Sequence, residues 1–456
     1  MSELMYKAKS AYEVLSEEEI NKAYNFCEDY KKFLDSSKTE RMATDTVIAM
    51  AKKNGFNEFE YDREYKSGDK VYFNNRGKAV ILAVIGKKSV DNGVNIAAAH
   101  IDCPRIDLKP NPLYEDSGFA FFKTHYYGGI KKYQWTTIPL ALHGVVSCLD
   151  GRQVEISIGE DENDPVFYIS DLLPHLGTNQ MTKPMHEAIP AETLNIILGT
   201  RPTDSDSGEK IKENIMKLIN EKYGITERDF TCAEISAVPT FKARDVGFDR
   251  SLIAAYGHDD RVCAYPQLMA ILEADMPEKT LVSVFADKEE TGSDGNTGLQ
   301  SNFLYDFIVE LANSQKVNPR KALNNSKCLS ADVNACFDPD YADAYEKRNA
   351  AFINNGVVLT KYTGSRGKSG TSDASAEYIG QVARAFEKGG ALWQTAELGK
   401  TDLGGGGTVA KYVANLNVDT VDIGVAVVSM HAPYELVSKT DVYMTYKAVK
   451  AFFEFI

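Results

Sequence analysis

Apolar residues along this chain gather in short unbroken runs, and several of those runs stop abruptly at an acid or a histidine. Lys279-Thr280-Leu281-Val282-Ser283-Val284 is β-branched and apolar, which predicts a buried strand. It gives way to Phe285-Ala286-Asp287-Lys288-Glu289-Glu290-Thr291-Gly292-Ser293, where two glutamates stand side by side in a Gly-Ser turn. Within a strand their carboxylates would point to opposite faces; in the turn they can converge on one small volume. Two carboxylates that close repel unless a cation or a shared proton relieves them. A solvated acidic turn is the plain alternative.

Other segments supply the framework. Residues 10–54 read as helical: Ser16-Glu17-Glu18-Glu19 sets a capping serine before acidic first-turn positions, with Ala23, Phe26, Tyr30 and Phe33 at helical spacing. A second helix runs from Thr44 to Lys53 and stops at Asn54-Gly55. Strand-like runs follow at Val71-Tyr72-Phe73, Ala79 to Ile85 and Val94 to Ala99, the last leading straight into His100-Ile101-Asp102. From Cys103 to Val246 the texture changes to short strand-like pieces punctuated by proline and glycine, with one amphipathic helix from Ile211 to Tyr223. After Val246 strands and helices alternate again. Helices are expected at Asp260–Ala274 (with Pro266 marking its first turn or a kink), Ser372–Phe386 and Lys439–Phe455. Strands are expected at Leu281–Phe285, Lys327–Ser330, Val357–Thr360 and Val421–Val428. This pattern predicts an α/β fold with a central sheet flanked by helices, built from residues 1–102 and 247–456, and interrupted by a mainly β insertion at 103–246.

Composition narrows the classes. At 456 residues the chain exceeds what one core usually supports, so two domains are expected. A net charge of −14 argues against nucleic acid or an anionic membrane surface as partner. Seven scattered cysteines without a C-x-x-C pair suggest a reducing compartment, and with no secretory leader or membrane-length apolar run the expectation is a cytoplasmic protein.

Four strand ends then line up as chemistry. His100 and Asp102 close one strand, Glu289 and Glu290 another, Asp332 follows Cys328-Leu329-Ser330, and His431 follows Ile423 to Met430. In open α/β sheets such ends share one edge, where ligands bind. Asp260, in Gly257-His258-Asp259-Asp260-Arg261, sits just before a helix and is a fifth candidate. Two histidines and three carboxylates suit a pair of borderline metals such as zinc, manganese or cobalt. Two ions need a shared ligand, a part given to Asp260, with one histidine and one terminal carboxylate on each ion. Glu289 is left over as a base for a water whose pKa the ions lower. His258, beside the expected bridge, is the histidine expected to touch substrate. Taken singly, each has a duller reading: a structural histidine, a turn cap, a helix N-cap, a loop filler. Their coincidence at four strand ends points to a site.

These residues, with their neighbours, carry a resemblance. His100-Ile101-Asp102-Cys103-Pro104, Leu108-Lys109-Pro110-Asn111-Pro112, Tyr127-Gly128-Gly129, Glu289-Glu290 with Gly292-Ser293, Ser330-Ala331-Asp332 and Ser429-Met430-His431 resemble the aspartyl aminopeptidase and vacuolar aminopeptidase I family of dizinc exopeptidases. The resemblance implies His100, Glu290, Asp332 and His431 as metal ligands, Asp260 as the bridge, Glu289 as general base and Asp102 as the carboxylate that orients His100. It implies the dizinc exopeptidase fold, two divalent ions per subunit, and an insertion used for dimerisation. Dimers of the family assemble into a hollow tetrahedral dodecamer that admits peptides and excludes folded proteins. Gly404-Gly405-Gly406-Gly407-Thr408 resembles the family's Gly-rich segment near the substrate pocket, implying Gly407 and Thr408 as substrate contacts; no Gly-Lys-Ser/Thr follows, which rules out a phosphate loop.

Two departures matter. The bridging motif usually reads Arg-Leu-Asp-Asn, whereas His258-Asp259-Asp260-Arg261 makes Asp259 a competitor for the bridge. The insertion reads Leu173-Pro174-His175-Leu176-Gly177-Thr178-Asn179-Gln180, without the Ala-Ile-His-Leu context of aspartyl-preferring members, which leaves a neutral or broad preference open. The expected activity is removal of N-terminal residues from peptides. The alternatives are a dimetal deacylase or carboxypeptidase-like amidohydrolase, and a non-catalytic assembly protein without metal.

Overall fold

The computed structural model describes residues 4–456. The chain divides into two units: Met1–Asp102, Ala243–Met430 and Tyr434–Ile456 form the larger, Cys103–Lys242 with His431–Pro433 the smaller. The architecture is α/β.

In the larger unit two helices lead, α1 (Glu17–Ser36) and α2 (Glu40–Lys53), followed by strands β1 (Asn57–Glu58), β2 (Lys70–Asn75), β3 (Ala79–Val84) and β4 (Asn95–His100). After the smaller unit come α3 (His258–Leu272), β5 (Leu281–Ala286), β6 (Lys327–Ala331), β7 (Val357–Thr360), β8 (Trp393–Thr395), β9 (Asp419–Gly424) and α4 (Lys439–Phe455). The nine strands form one mixed sheet in the order β1-β2-β3-β5-β4-β6-β9-β7-β8. Its centre, β5-β4-β6-β9, is parallel throughout, with Ala286 opposite His100 and Ala331 opposite Ile423.

The unbroken apolar runs have a direct cause. Along β3, Val80, Leu82 and Val84 enter one hydrophobic cluster with α1, α2, α3 and α4, while Ala79, Ile81 and Ala83 enter another on the opposite face. A sheet covered on both faces needs apolar side chains at every position, not alternate ones. Helices form where caps start them: Ser16 and Glu19 make a reciprocal capping box at α1, and Ser438 caps α4.

Several boundaries move from their expected places. The run 421–428 divides: β9 ends at Gly424, and Ala426–Val427 pairs instead with Asn334–Ala335 in a small second sheet. The helix expected from Ser372 starts at Ala376, because Ser375 caps it through the Tyr378 N–H. Pro266 lies inside α3, which continues past it to Leu272.

The smaller unit is a seven-stranded antiparallel sheet with one long helix, Lys210–Tyr223. All seven cysteines are free thiols, and no helix among the described residues is long and apolar enough to cross a membrane.

Candidate active site

Three parallel strands and one helix start deliver the acidic groups of the larger unit to one place. His100 is the last residue of β4; its Nδ1 lies 3.0 Å from the Asp102 carbonyl oxygen and 3.2 Å from Asp102 Oδ1. A carbonyl only accepts, so Nδ1 carries a proton, and the nitrogen left to face the other carboxylates is Nε2. That nitrogen faces Asp259 Oδ1 at 3.1 Å and Asp332 Oδ1 at 3.8 Å. Acceptors this close are stable only with a proton or a cation between them. Burial works to lower the His100 pKa, but Asp102, Asp259 and Asp332 outweigh it and hold it well above the usual imidazole range.

Beyond β5 the backbone turns sharply. Lys288 (φ 71°) and Gly292 (φ 90°) are left-handed, and the Glu289 and Glu290 N–H groups between them donate to Asp102 Oδ1 and Oδ2 at 3.1 and 3.2 Å. One fully buried carboxylate therefore orients His100 and anchors the glutamate turn. Asp332 follows β6; its N–H donates to the Ile423 carbonyl at 2.8 Å. The neighbouring strand approaches so closely that a Cβ on Gly424 would lie 1.7 Å from the Asp332 carbonyl oxygen, so only glycine fits there.

Asp259 and Asp260 open α3. Gly257 (φ 78°) caps it, both aspartates depart from helical angles, and the peptide between them is cis. The Asp259 N–H donates to Glu435 Oε2 at 3.1 Å, and Asp260 Oδ2 accepts from the His100 N–H at 3.3 Å. Asp260 Oδ1 is buried without a hydrogen-bond partner.

Ligand atoms gather in two overlapping sets, each within 4.8 Å: His100, Asp260 and Asp332, and His100, Asp259 and Glu290. Burial, then the Asp332 charge, pushes Asp260 well above its ordinary pKa, and burial raises Asp332. Glu289 is pushed up to about 8 by burial and then by Asp332, Asp102 and Asp259. The centre thus holds more carboxylate than it can ionise unaided. One imidazole with several carboxylates is a donor set that suits zinc, and an orphaned buried oxygen fits a cation.

His431 belongs to the smaller unit, where its Nδ1 donates to the Gly129 carbonyl at 2.7 Å, the tautomer that leaves the lone pair on Nε2. His258 is fully buried, and both its ring nitrogens are engaged by Tyr30 and Ile253, which leaves no surface for a substrate. The Thr408 hydroxyl is turned onto Asp422 Oδ1 at 2.7 Å, and Gly407 has no atom within 4 Å of where a Cβ would stand. Sequence reasoning missed Glu435 and Tyr30, which no local pattern marks.

The family model of aminopeptidase I zinc metalloproteases (M18) matches residues 33–453. A probable M18 family aminopeptidase 1 of Clostridium acetobutylicum is 47% identical over 99% of both chains. The crystal structure of an M18 aminopeptidase from Thermotoga maritima superposes with a TM-score of 0.95 at 43% identity, covering 99% of this chain and 100% of that one. The S. cerevisiae mApe1 dodecamer shares the fold alone, with a TM-score of 0.77 at 19% identity over 95% of this chain and 97% of that one. Family model, relatives and geometry coincide: the chain belongs to the M18 family of aminopeptidase I zinc metalloproteases and is a metallo-aminopeptidase.

Proposed function

We propose that the chain removes N-terminal residues from peptides with two divalent ions, zinc by the family's chemistry, held among His100, Asp259, Asp260, Glu290 and Asp332. The carrying observation is His100 Nε2 facing Asp259 Oδ1 at 3.1 Å within a group of buried carboxylates. Bound cations would neutralise that group, polarise the scissile carbonyl and bring a water's pKa near neutral. Asp259 competes with Asp260 for the bridge: its Oδ1 faces His100 Nε2, whereas Asp260 Oδ2 accepts the His100 N–H.

Glu289 is the general base in this reading, taking a proton from water and passing it to the leaving amine. Burial and three neighbouring carboxylates raise it to about 8, and cations among those neighbours would relieve that charge and leave Glu289 ionised at neutral pH. Asp102 keeps its geometry, because the same carboxylate holds the Glu289 N–H and His100 Nδ1. We infer too that the smaller unit serves dimerisation and that copies assemble as in the mApe1 dodecamer.

Elemental analysis of protein purified without chelator, combined with turnover of amino-acid anilides against N-acylated amino acids, tests the reading. Two ions per chain and cleavage of anilides are expected. Metal with cleavage of only the acylated compounds would make it a deacylase, and absence of metal would overturn the site.

A further inference from the structure

The first turn of α3 carries Asp259 and Asp260, and much of what fixes it comes from residues that ligate nothing. His258 precedes the pair. Its Nε2 lies 3.1 Å from the Ile253 carbonyl and its Nδ1 lies 2.8 Å from the Tyr30 hydroxyl. A carbonyl only accepts, so Nε2 carries a proton. A fully buried, neutral imidazole has a single N–H, so Nδ1 accepts from the Tyr30 hydroxyl. The Tyr30 hydroxyl, itself fully buried and with its pKa pushed well up, keeps the proton it donates.

The imidazole is thereby pinned at both ends. One bond runs to the strand Leu252–Ala255, the other to α1, 228 residues earlier in the chain. Turning the ring would strand a buried donor or acceptor. The next residue is held as well, by the Asp259 N–H on Glu435. With residues 258 and 259 both tethered, the Asp259 carboxylate has little choice but to face His100.

We propose that Tyr30 and His258 are a pair of positioning residues that set the Asp259–Asp260 turn for metal binding. Helix α1 then belongs functionally to the centre although it contributes no ligand. Both side chains are 0% exposed. The inference rests on the dimetal reading above.

Tyr30→Phe deletes one oxygen and keeps the ring's volume. Zinc affinity, measured on stripped protein by competition with a chelating indicator, should fall about tenfold, the lower end of what loss of an outer hydrogen-bond partner costs a metal site. His258→Gln keeps a donor toward Ile253 but loses the acceptor for Tyr30, and should also weaken zinc. The double variant should bind no more weakly than His258→Gln alone, because the pair acts as one unit. A merely structural role would lower the melting temperature of the metal-free protein and leave zinc affinity at the wild-type value, and that result overturns the proposal. Additive losses in the double variant would do the same. Should Tyr30→Phe not fold, the His258→Gln titration decides by the same criterion. Wild-type protein that takes up no zinc sinks the dimetal reading itself; wild-type uptake with unaltered variants sinks this inference alone.

Discussion

Buried carboxylates occur in two very different settings in this molecule. Asp441, in the first turn of α4, is fully buried, but its oxygens accept the N–H groups of Gly356 and Asn354 at 2.7 and 2.8 Å. At the sheet edge, Asp260 keeps one oxygen without a donor, and its strongest electrostatic neighbour is another carboxylate, Asp332. In the first setting backbone N–H groups partner both oxygens and offset part of the cost of burial; in the second, compensation is left to something that arrives from outside. Acids arranged for stability are surrounded by donors, whereas acids arranged for chemistry are surrounded by each other.

Stripping the metal probes the contrast most severely. Dialysis against a chelator should abolish turnover and lower the melting temperature, and added zinc should restore both. Full activity in verified metal-free protein would erase the distinction between the two settings. Next in size is Glu289→Gln, expected to reduce kcat by roughly 10²–10⁴-fold, the usual share of a general base. Bound metal should be unchanged, and turnover close to wild type would remove Glu289 from the reaction.

The Asp441 side is tested by pH. Burial lifts its carboxyl from 3.8 to about 7, so between those values the folded state holds a proton that the unfolded state has released. Its contribution is complete below 3.8 and is lost as pH climbs to 7, with a slope of at most about 1.4 kcal/mol per pH unit. Asp441→Asn should flatten denaturant-derived stability across that window without altering zinc uptake; an unchanged slope would assign the titration elsewhere. The smallest expected effect is Gly424→Ala. Its Cβ would meet the Asp332 carbonyl and force β9 and β6 apart, at about 1–3 kcal/mol of stability, and should also weaken zinc binding, checked by indicator competition. Unaltered binding would mean that Asp332 tolerates the shift.

Much of this was legible in the residues alone, for a physical reason. Strands buried on both faces must be apolar from end to end, so the polar residue that closes each one stands out, as at His100, Glu289, Glu290 and Asp332. The start of α3 was not legible in the same way. Which of Asp259 and Asp260 faces His100 depends on two non-helical residues and on a bond from Glu435, 176 residues away. His258 looked available to a substrate because it adjoins an acid pair; only its two hydrogen bonds show it turned inward. The divided strand at 421–428 was hidden likewise, because the close approach to Asp332 involves backbone, which apolar patterning does not encode.

Asp102 has a consequence for anyone wishing to retune this enzyme. Because one carboxylate steadies both the imidazole and the glutamate turn, the placing of His100 and that of Glu289 and Glu290 cannot be adjusted separately there. Lengthening it to glutamate would displace both at once. Redesign of substrate scope has to work around this shared hinge pin, from walls that do not lean on it.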